Sequence, residues 1–168
     1  TKGDLMETYN VLILSAGRRV ELVNLFKRAA KSLGIQSEIV AGDCSKYAPA
    51  LYFADKHYLL PRIDNSSYID EIISICINDS IRLVVPTIDT ELELLSLNRE
   101  RIRDESGAMV LVSNPSVISI CADKFLTSEF LVKHKFGSPK IYDPSSMDFS
   151  KIEFPLFIKP KSGSSSIG

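Results

Sequence analysis

Apolar residues along the chain follow two periods, and segments of the two kinds alternate. Short runs of apolar and β-branched residues predict buried strands at 9–14, 35–41, 57–60, 81–86 and 109–112. Between most of them, apolar residues recur every three or four positions, which predicts helices that begin near Val20, Tyr68 and Leu92. Strands that alternate with helices favour an α/β, Rossmann-like domain built on a parallel sheet.

The pattern changes at Asp123. Residues 123–134 predict a helix that Asp123 caps and that ends before Gly137. A short strand at 140–142, a polar loop and an apolar strand at 154–159 follow. We therefore expect a domain boundary here, with residues 1–122 in the first domain and residues 123–168 in the second.

The last eleven residues, IKPKSGSSSIG, combine lysine, serine and glycine behind the predicted strand. Glycines allow successive N–H groups to converge on one anion, and serine hydroxyls add donors. Lys159 or Lys161 would supply the positive charge. A flexible Gly/Ser linker has a similar composition, but a linker needs neither a strand nor a lysine before it. The order therefore favours a phosphate-binding loop, although the Walker pattern of Gly-x-x-x-x-Gly-Lys is absent.

The turn after the first strand, at Ser15 to Arg19, is a second candidate site. Gly17 stands there without the other glycines of a dinucleotide-binding fingerprint, which disfavours NAD. Asp43, at the end of the second strand, is then better explained as a turn or cap residue than as a ribose ligand. Arg18 and Arg19 are either solvated or line a pocket for an anionic substrate together with helix N–H groups.

Acidic residues follow the strand at 81–86. In a doubly wound sheet, ligands bind at the carboxyl ends of strands, so Asp89 and Glu91 would lie near Gly17 and Arg18. Capping of the next helix by Asp89 or Thr90 is the better explanation for that part of the loop. For Glu91, a place in the first helical turn and a functional role remain equally open.

Composition excludes several classes of function. The net charge of −1 gives no support for binding to nucleic acid or to an anionic membrane, which would need a basic face, and no apolar run has membrane-spanning length. The three cysteines, Cys44, Cys76 and Cys121, are scattered, which is typical of buried thiols in a reducing cytoplasm. His57 has no nearby cysteine or second histidine, so we expect no metal site there.

The ordered set of motifs resembles the ATP-grasp superfamily. Asp123-Lys124 is similar to the pair that opens the helix after the first domain, Lys159 to the basic residue that ends a strand, and residues 162–168 to the glycine-rich loop over the ATP phosphates. The stretches ILSAGRRVELV and VVPTIDTELELL look like the pre-ATP-grasp domain of proteins similar to the carbamoyl-phosphate synthase large subunit. The resemblance implies a Rossmann-like parallel-sheet pre-ATP-grasp domain, followed by the start of an α+β ATP-grasp domain.

The resemblance also implies a function. Such enzymes activate a carboxylate or bicarbonate as an acyl phosphate and join it to an amine or ammonia, using ATP and Mg²⁺. The implied nucleotide-binding residues are Lys124, Lys159, Ser162, Gly163, Ser164, Ser165, Ser166, Ile167 and Gly168. Gly17, Arg18 and Glu91 would face the substrate. The Mg²⁺ ligands and catalytic residues of the family map to no part of this chain, so we expect it to be inactive alone; a homodimer and a glutaminase partner stay open.

Two other functions fit parts of the sequence. A non-catalytic Rossmann-like binding module would explain the first domain and would leave the last segment as a linker. An NAD-dependent oxidoreductase would share the fold, but the single Gly17 disfavours it.

Overall fold

The structure, a computed structural model, describes residues 8–163. The chain divides between Ser113 and Asn114 into two compact units. That division precedes the domain boundary expected at residue 123 by one short helix. Where the ATP-grasp domain begins therefore stays a prediction.

Within residues 8–163, the first unit contains a sheet of five strands. They are β1 (Asn10–Ile13), β2 (Ile39–Asp43), β3 (Lys56–Leu59), β4 (Ile81–Val85) and β5 (Met109–Val110). All neighbouring strands are parallel, in the order β3-β2-β1-β4-β5. Three helices connect them, α1 (Val20–Leu33), α2 (Tyr68–Asn78) and α3 (Leu92–Ser106), with a 3₁₀ turn at Pro49–Tyr52 between β2 and β3. The predicted α/β class with a parallel sheet is confirmed.

Both faces of the sheet are buried, which explains why β1 is apolar at successive positions. Leu12 and Leu14 point to one side, into a core that contains residues of α2 and α3. Val11 and Ile13 point to the other side, where Val23 of α1 packs. In the centre of the sheet, Leu12 pairs with Val40 of β2 and Val84 of β4.

Some predicted element ends are wrong. The second strand begins at Ile39 instead of residue 35, and it continues through Gly42 and Asp43. Ser67 precedes α2 but its side chain does not cap the helix; its hydroxyl and N–H both donate to Asn65 Oδ1, at 2.9 Å each. An aspartate or asparagine that accepts bonds from residues two positions later stabilises a turn, which here competes with the cap.

The second unit begins with two helices, α4 (Pro115–Ala122) and α5 (Lys124–Lys133). Asn114 caps α4 by accepting a hydrogen bond from Val117 N–H at 3.1 Å. The strands predicted at 140–142 and 154–159 are absent, because no strand among residues 114–163 offers these segments a partner for their backbone groups. Phe157 and Ile158 are accordingly 82% and 94% exposed.

The cysteines only partly follow the expectation of buried thiols. Cys76 is buried in α2, and this burial raises the pKa of its thiol to about 12. Cys44 and Cys121 are exposed. None of the helices between residues 8 and 163 is both long and apolar enough to cross a bilayer.

Candidate functional site

The first candidate site lies where the chain changes direction in the sheet. From β1 the chain continues to β2 and β3 on one side, and β4 and β5 lie on the other. Ligands in such sheets bind outside the carboxyl ends of the strands at this switch point. The loops that follow β1 and β4 meet here, through Ser15 with Glu91 and through Arg19 with Thr87. That Gly17, Arg18 and Glu91 face a substrate stays a prediction.

Glu91 is the centre of a hydrogen-bond network between these loops. Its carboxylate is fully buried. The Oε2 atom accepts hydrogen bonds from Ser15 Oγ at 2.9 Å and from Tyr68 OH at 3.0 Å. The Oε1 atom accepts from the backbone N–H of Thr87 at 2.8 Å and of Ile88 at 3.4 Å. Glu91 therefore joins the β1–α1 loop, α2 and the β4–α3 loop.

The predicted cap of α3 is wrong. A 3₁₀ turn, Asp89–Glu91, precedes the helix, and the side chains of Asp89 and Thr90 accept no capping hydrogen bond in the part of the chain that the structure describes. Glu91 instead accepts the bonds from the backbone N–H groups ahead of the helix.

The two hydroxyl donors to Glu91, on Tyr68 and Ser15, are themselves in unusual environments. Burial raises the pKa of the Tyr68 hydroxyl, and the nearby Glu91 charge raises it further, so the hydroxyl remains a donor. Ser15 has a positive φ of 48°. Residues other than glycine adopt this conformation at an energetic cost, which is often found at functional sites.

Arg19 ties the same two loops together from outside. Its Nη1 donates to the carbonyl of Ser15 at 3.2 Å, and its Nη2 donates to the carbonyl of Thr87 at 2.8 Å. Thr87 Oγ1 also donates to the carbonyls of Leu14 and Ser15, at 2.9 and 2.7 Å. The guanidinium of Arg18 is exposed and has no hydrogen-bond or ion-pair partner among residues 8–163, although the backbone carbonyl of Arg18 accepts from Val20 N–H at 2.9 Å. Of the two arginines, Arg19 thus has a structural role, and Arg18 leaves its guanidinium available.

Gly17 and Asp43 form the remaining part of this region. Gly17 has a φ of 52°, and its N–H donates to Asp43 Oδ2 at 2.8 Å. The other oxygen of Asp43 accepts from Ser45 N–H at 2.8 Å. The expected turn role of Asp43 is confirmed, because both of its oxygens are used by the backbone of this chain.

The second candidate site is in the second unit, at the start of α5. Asp123 caps this helix, as predicted, by accepting from Phe125 N–H at 2.8 Å and Leu126 N–H at 3.3 Å. Lys124 N–H donates to the carbonyl of Lys161 at 3.1 Å, and Asp123 forms an antiparallel bridge with Ser162. The structure therefore brings Lys124 next to the beginning of the glycine-rich segment.

The ammonium of Lys124 also reaches this segment. Its Nζ lies 3.4 Å from the carbonyl of Gly163. Within residues 8–163, the side chain of Lys159 makes no hydrogen bond or ion pair with Lys124 or Gly163. Its Nζ lies 5.1 Å from the centre of the Phe157 ring. The predicted nucleotide-binding residues Ser164, Ser165, Ser166, Ile167 and Gly168 lie outside the described residues.

No metal cluster marks these sites among the residues that the structure describes. Between residues 8 and 163 there is no group of three or more His, Cys, Asp or Glu residues that could hold a metal ion. A cavity of about 520 Å³ lies at the opposite edge of the sheet, near the amino ends of β1 and β2, with Asn10, Glu38 and Asp55 in its lining. It is open and distant from the loops described above, so it contributes nothing to the candidate chemistry.

Comparison with known proteins identifies the first unit. Residues 11–111 match the model of the PylC-like N-terminal domain family. The chain belongs to this family. The match begins at the second residue of β1 and ends one residue after β5, so this PylC-like domain includes parts of all five strands and the three helices between them.

Similar proteins extend the comparison beyond the PylC-like domain. D-alanine–D-alanine ligase A of Bacillus cereus is 28% identical over 124 residues, which is 66% of this chain and 40% of that protein. The chain thus spans well under half of this relative. The L-amino acid ligase from Bacillus licheniformis has a TM-score of 0.65 at 16% identity, covering 93% of this chain and 38% of that one.

A further solved structure has the same fold. The biotin carboxylase domain of Hydrogenobacter thermophilus 2-oxoglutarate carboxylase has a TM-score of 0.53 at 18% identity, over 77% of this chain and 28% of that one. Together these similarities confirm the predicted resemblance to the N-terminal portion of ATP-grasp proteins.

Proposed function

We propose that this chain is the N-terminal portion of an ATP-grasp ligase. The ligase activates a carboxylate or bicarbonate as an acyl phosphate and joins it to an amine or ammonia. One observation supports this proposal most: Lys124 lies at the start of α5 with its ammonium beside Gly163, where the glycine-rich segment begins. A flexible linker would not be expected to form hydrogen bonds with the first residue of a helix.

In the proposed reaction, an oxygen of the substrate carboxylate forms a bond to the γ-phosphorus of ATP, and the bond to the β–γ bridging oxygen breaks. The amine then attacks the acyl carbon, and phosphate leaves. Such phosphoryl transfer depends on positioning and charge neutralisation. The ammonium of Lys124 and the backbone N–H groups of the glycine-rich segment fit this role, with Lys159 as the second basic residue. The Mg²⁺ ligands that the resemblance implies map to no part of this chain.

On the substrate side, we propose that Arg18 binds the carboxylate of the acid. Its guanidinium is exposed and free of partners within residues 8–163, and it follows Gly17 at the switch point of the sheet. Glu91 would affect the substrate only indirectly, by holding the β1–α1 and β4–α3 loops in place. Its carboxylate is buried and already accepts four hydrogen bonds.

The similarity to a D-alanine–D-alanine ligase and an L-amino acid ligase favours an amino acid or a related small carboxylate as the acid. The sequence resemblance itself predicts a carbamoyl-phosphate-synthase-like reaction, in which bicarbonate would take the place of the carboxylate. We propose an amine or ammonia as the nucleophile. The proteins similar to this chain give no support for a glutaminase partner. An ATP-dependent ligase of this kind would work in the cytoplasm.

The test is a phosphate-release assay of the full-length protein with ATP, Mg²⁺ and panels of carboxylates and amines. Lys124→Ala and Lys159→Ala should each lower kcat/KM for ATP on the order of 100-fold, because each removes a charge on the phosphates. Lys31→Ala, an exposed lysine of α1, is the control and should leave activity unchanged. Equal activity of all three variants would refute the phosphate role of the two lysines.

A further inference from the structure

Asp123 uses its two carboxylate oxygens for two different contacts. Oδ1 accepts the hydrogen bonds from Phe125 N–H and Leu126 N–H that cap α5. Oδ2 lies 3.1 Å from Nζ of Lys161, in an ion pair. The helix start and the segment at 161–163 are therefore joined through a single side chain.

The backbone on either side of Lys161 takes part in the same arrangement. The carbonyl of Lys161 accepts from Lys124 N–H at 3.1 Å, and the next residue, Ser162, is bridged to Asp123. Gly163 follows, with its carbonyl beside the ammonium of Lys124. The position of Lys161 thus determines where the backbone of Ser162 and Gly163 lies relative to Lys124.

The ammonium of Lys161 already has partners within the protein. Besides Asp123, its Nζ lies 5.8 Å from the centre of the Phe125 ring, in cation–π geometry. Partial desolvation raises the pKa of Asp123, but the bonds from Lys161 and from the backbone N–H groups of Leu126 and Phe125 outweigh it, so the pKa of Asp123 lies below its usual value. The carboxylate is therefore charged at neutral pH, and the pair is ionic.

We infer that Asp123 and Lys161 are a pair of positioning residues, which hold the beginning of the glycine-rich segment beside Lys124 for binding of a nucleoside triphosphate. The inference rests on the proposed function. Lys161 would then hold the segment in place through its ion pair with Asp123, and Lys124 and Lys159 would contact the phosphates.

The exposure of the Asp123–Lys161 pair determines how much stability its removal should cost. The side chain of Lys161 is 64% exposed and that of Asp123 is 21% exposed. Exposed ion pairs stabilise a fold only slightly. Loss of this one should therefore leave the folded state intact, while the beginning of the segment becomes free to adopt other positions. Ordering it again on binding would weaken the affinity for the nucleotide.

The experiment measures Kd for ATP in the presence of Mg²⁺, by calorimetry on the full-length protein. Asp123→Asn and Lys161→Gln should each raise Kd about fivefold, near the upper range for one exposed ion pair. The double variant should be no weaker than either single variant, because each substitution removes the same interaction. Lys161→Arg should restore most of the affinity. Asparagine caps helices as well as aspartate does, so thermal unfolding should not change.

The control is Lys151→Gln, which breaks another exposed ion pair of this unit, with Asp148 at 3.0 Å. It should leave Kd unchanged. A loss of affinity in Lys161→Gln but not in Asp123→Asn would overturn the inference, since Lys161 would then contact phosphate directly. Unchanged Kd in both variants of a protein that binds ATP would overturn it while the proposed function stands. A wild-type protein without affinity for ATP and Mg²⁺ would overturn both.

Discussion

At the scale of single residues, Glu91 has the most unusual environment. A buried carboxylate is costly unless its oxygens receive hydrogen bonds. Here the donors come from three separate parts of the chain, Ser15, Tyr68 and Thr87. Removal of the carboxylate would leave these donors buried and without an acceptor, which costs more than the bonds themselves contribute.

Glu91→Ala should lower the free energy of unfolding by about 3 kcal/mol. Glu91→Gln should cost clearly less, because its amide oxygen still accepts from Thr87 N–H and the hydroxyls of Ser15 and Tyr68 can turn to accept from its NH₂ group. Urea denaturation of the three proteins provides the measurement.

Glu93→Ala is the matched control for that experiment. Glu93 is an exposed glutamate in the first turn of α3. Its removal should change the free energy of unfolding by less than about 0.5 kcal/mol. Equal effects of the alanine variants at positions 91 and 93 would show that the buried network is not important for stability.

The sequence predicted some of these residues and missed others. The sequence predicts the cap at Asp123 because the N–H groups that donate to its carboxylate belong to residues only two and three positions further along the chain. The sequence predicts Tyr68 only as the start of a helix and gives the hydroxyl of Ser15 no role. Their partner Glu91 is 23 and 76 residues away, so only the register of the sheet and the packing of α2 bring the three together.

At the scale of elements, helix ends were easier to predict than strand ends. The bounds of α1 follow from its apolar period and from Gly34, both of which are local. A strand exists only where a neighbour pairs with it, so β5 has two residues although the apolar run has four. The same requirement explains why the apolar run at 154–159 is not a strand.

Gly34 provides the test at this scale. It ends α1 with a φ of 66°, and its N–H donates to the carbonyl of Lys31 at 3.2 Å. A Cβ atom there would meet no other atom within 4 Å, so any cost is due to backbone conformation. Gly34→Ala should lower the free energy of unfolding by about 1 kcal/mol.

Gly34→Asn is the comparison, since asparagine tolerates this left-handed conformation better than alanine does. It should be the more stable of the two variants in urea denaturation. A stability of Gly34→Ala equal to or above that of the wild type would contradict a conformational cap at this position.

At the scale of the whole molecule, the core is confined to the first unit. In the described part of the chain, all buried residues lie between Asn10 and Val110. The second unit has none among residues 114–163, and Phe149 and Phe154 are 76% and 81% exposed there. The change in pattern predicts a boundary at residue 123, whereas the two compact units divide between Ser113 and Asn114. That residues 114–163 contain no buried core could not be predicted, because periodicity shows which residues could be buried but not whether a surface covers them.

Residues 1–113, expressed alone, should therefore fold. We expect a helix-and-sheet circular dichroism spectrum and one cooperative unfolding transition in urea, because this segment contains the complete sheet and both of its apolar faces. Residues 114–168, expressed alone, should show no such transition. Cooperative unfolding of the second segment, or its absence in the first, would contradict this division of stability.

The cross-bracing of the two loops by Arg19, Thr87 and Glu91 has a consequence for recognition. Because hydrogen bonds within the chain already join the loops that follow β1 and β4, a molecule that binds to these loops would require little further ordering of the protein. Selectivity for such a molecule should then depend on how well its shape fits the positions that the loops already have.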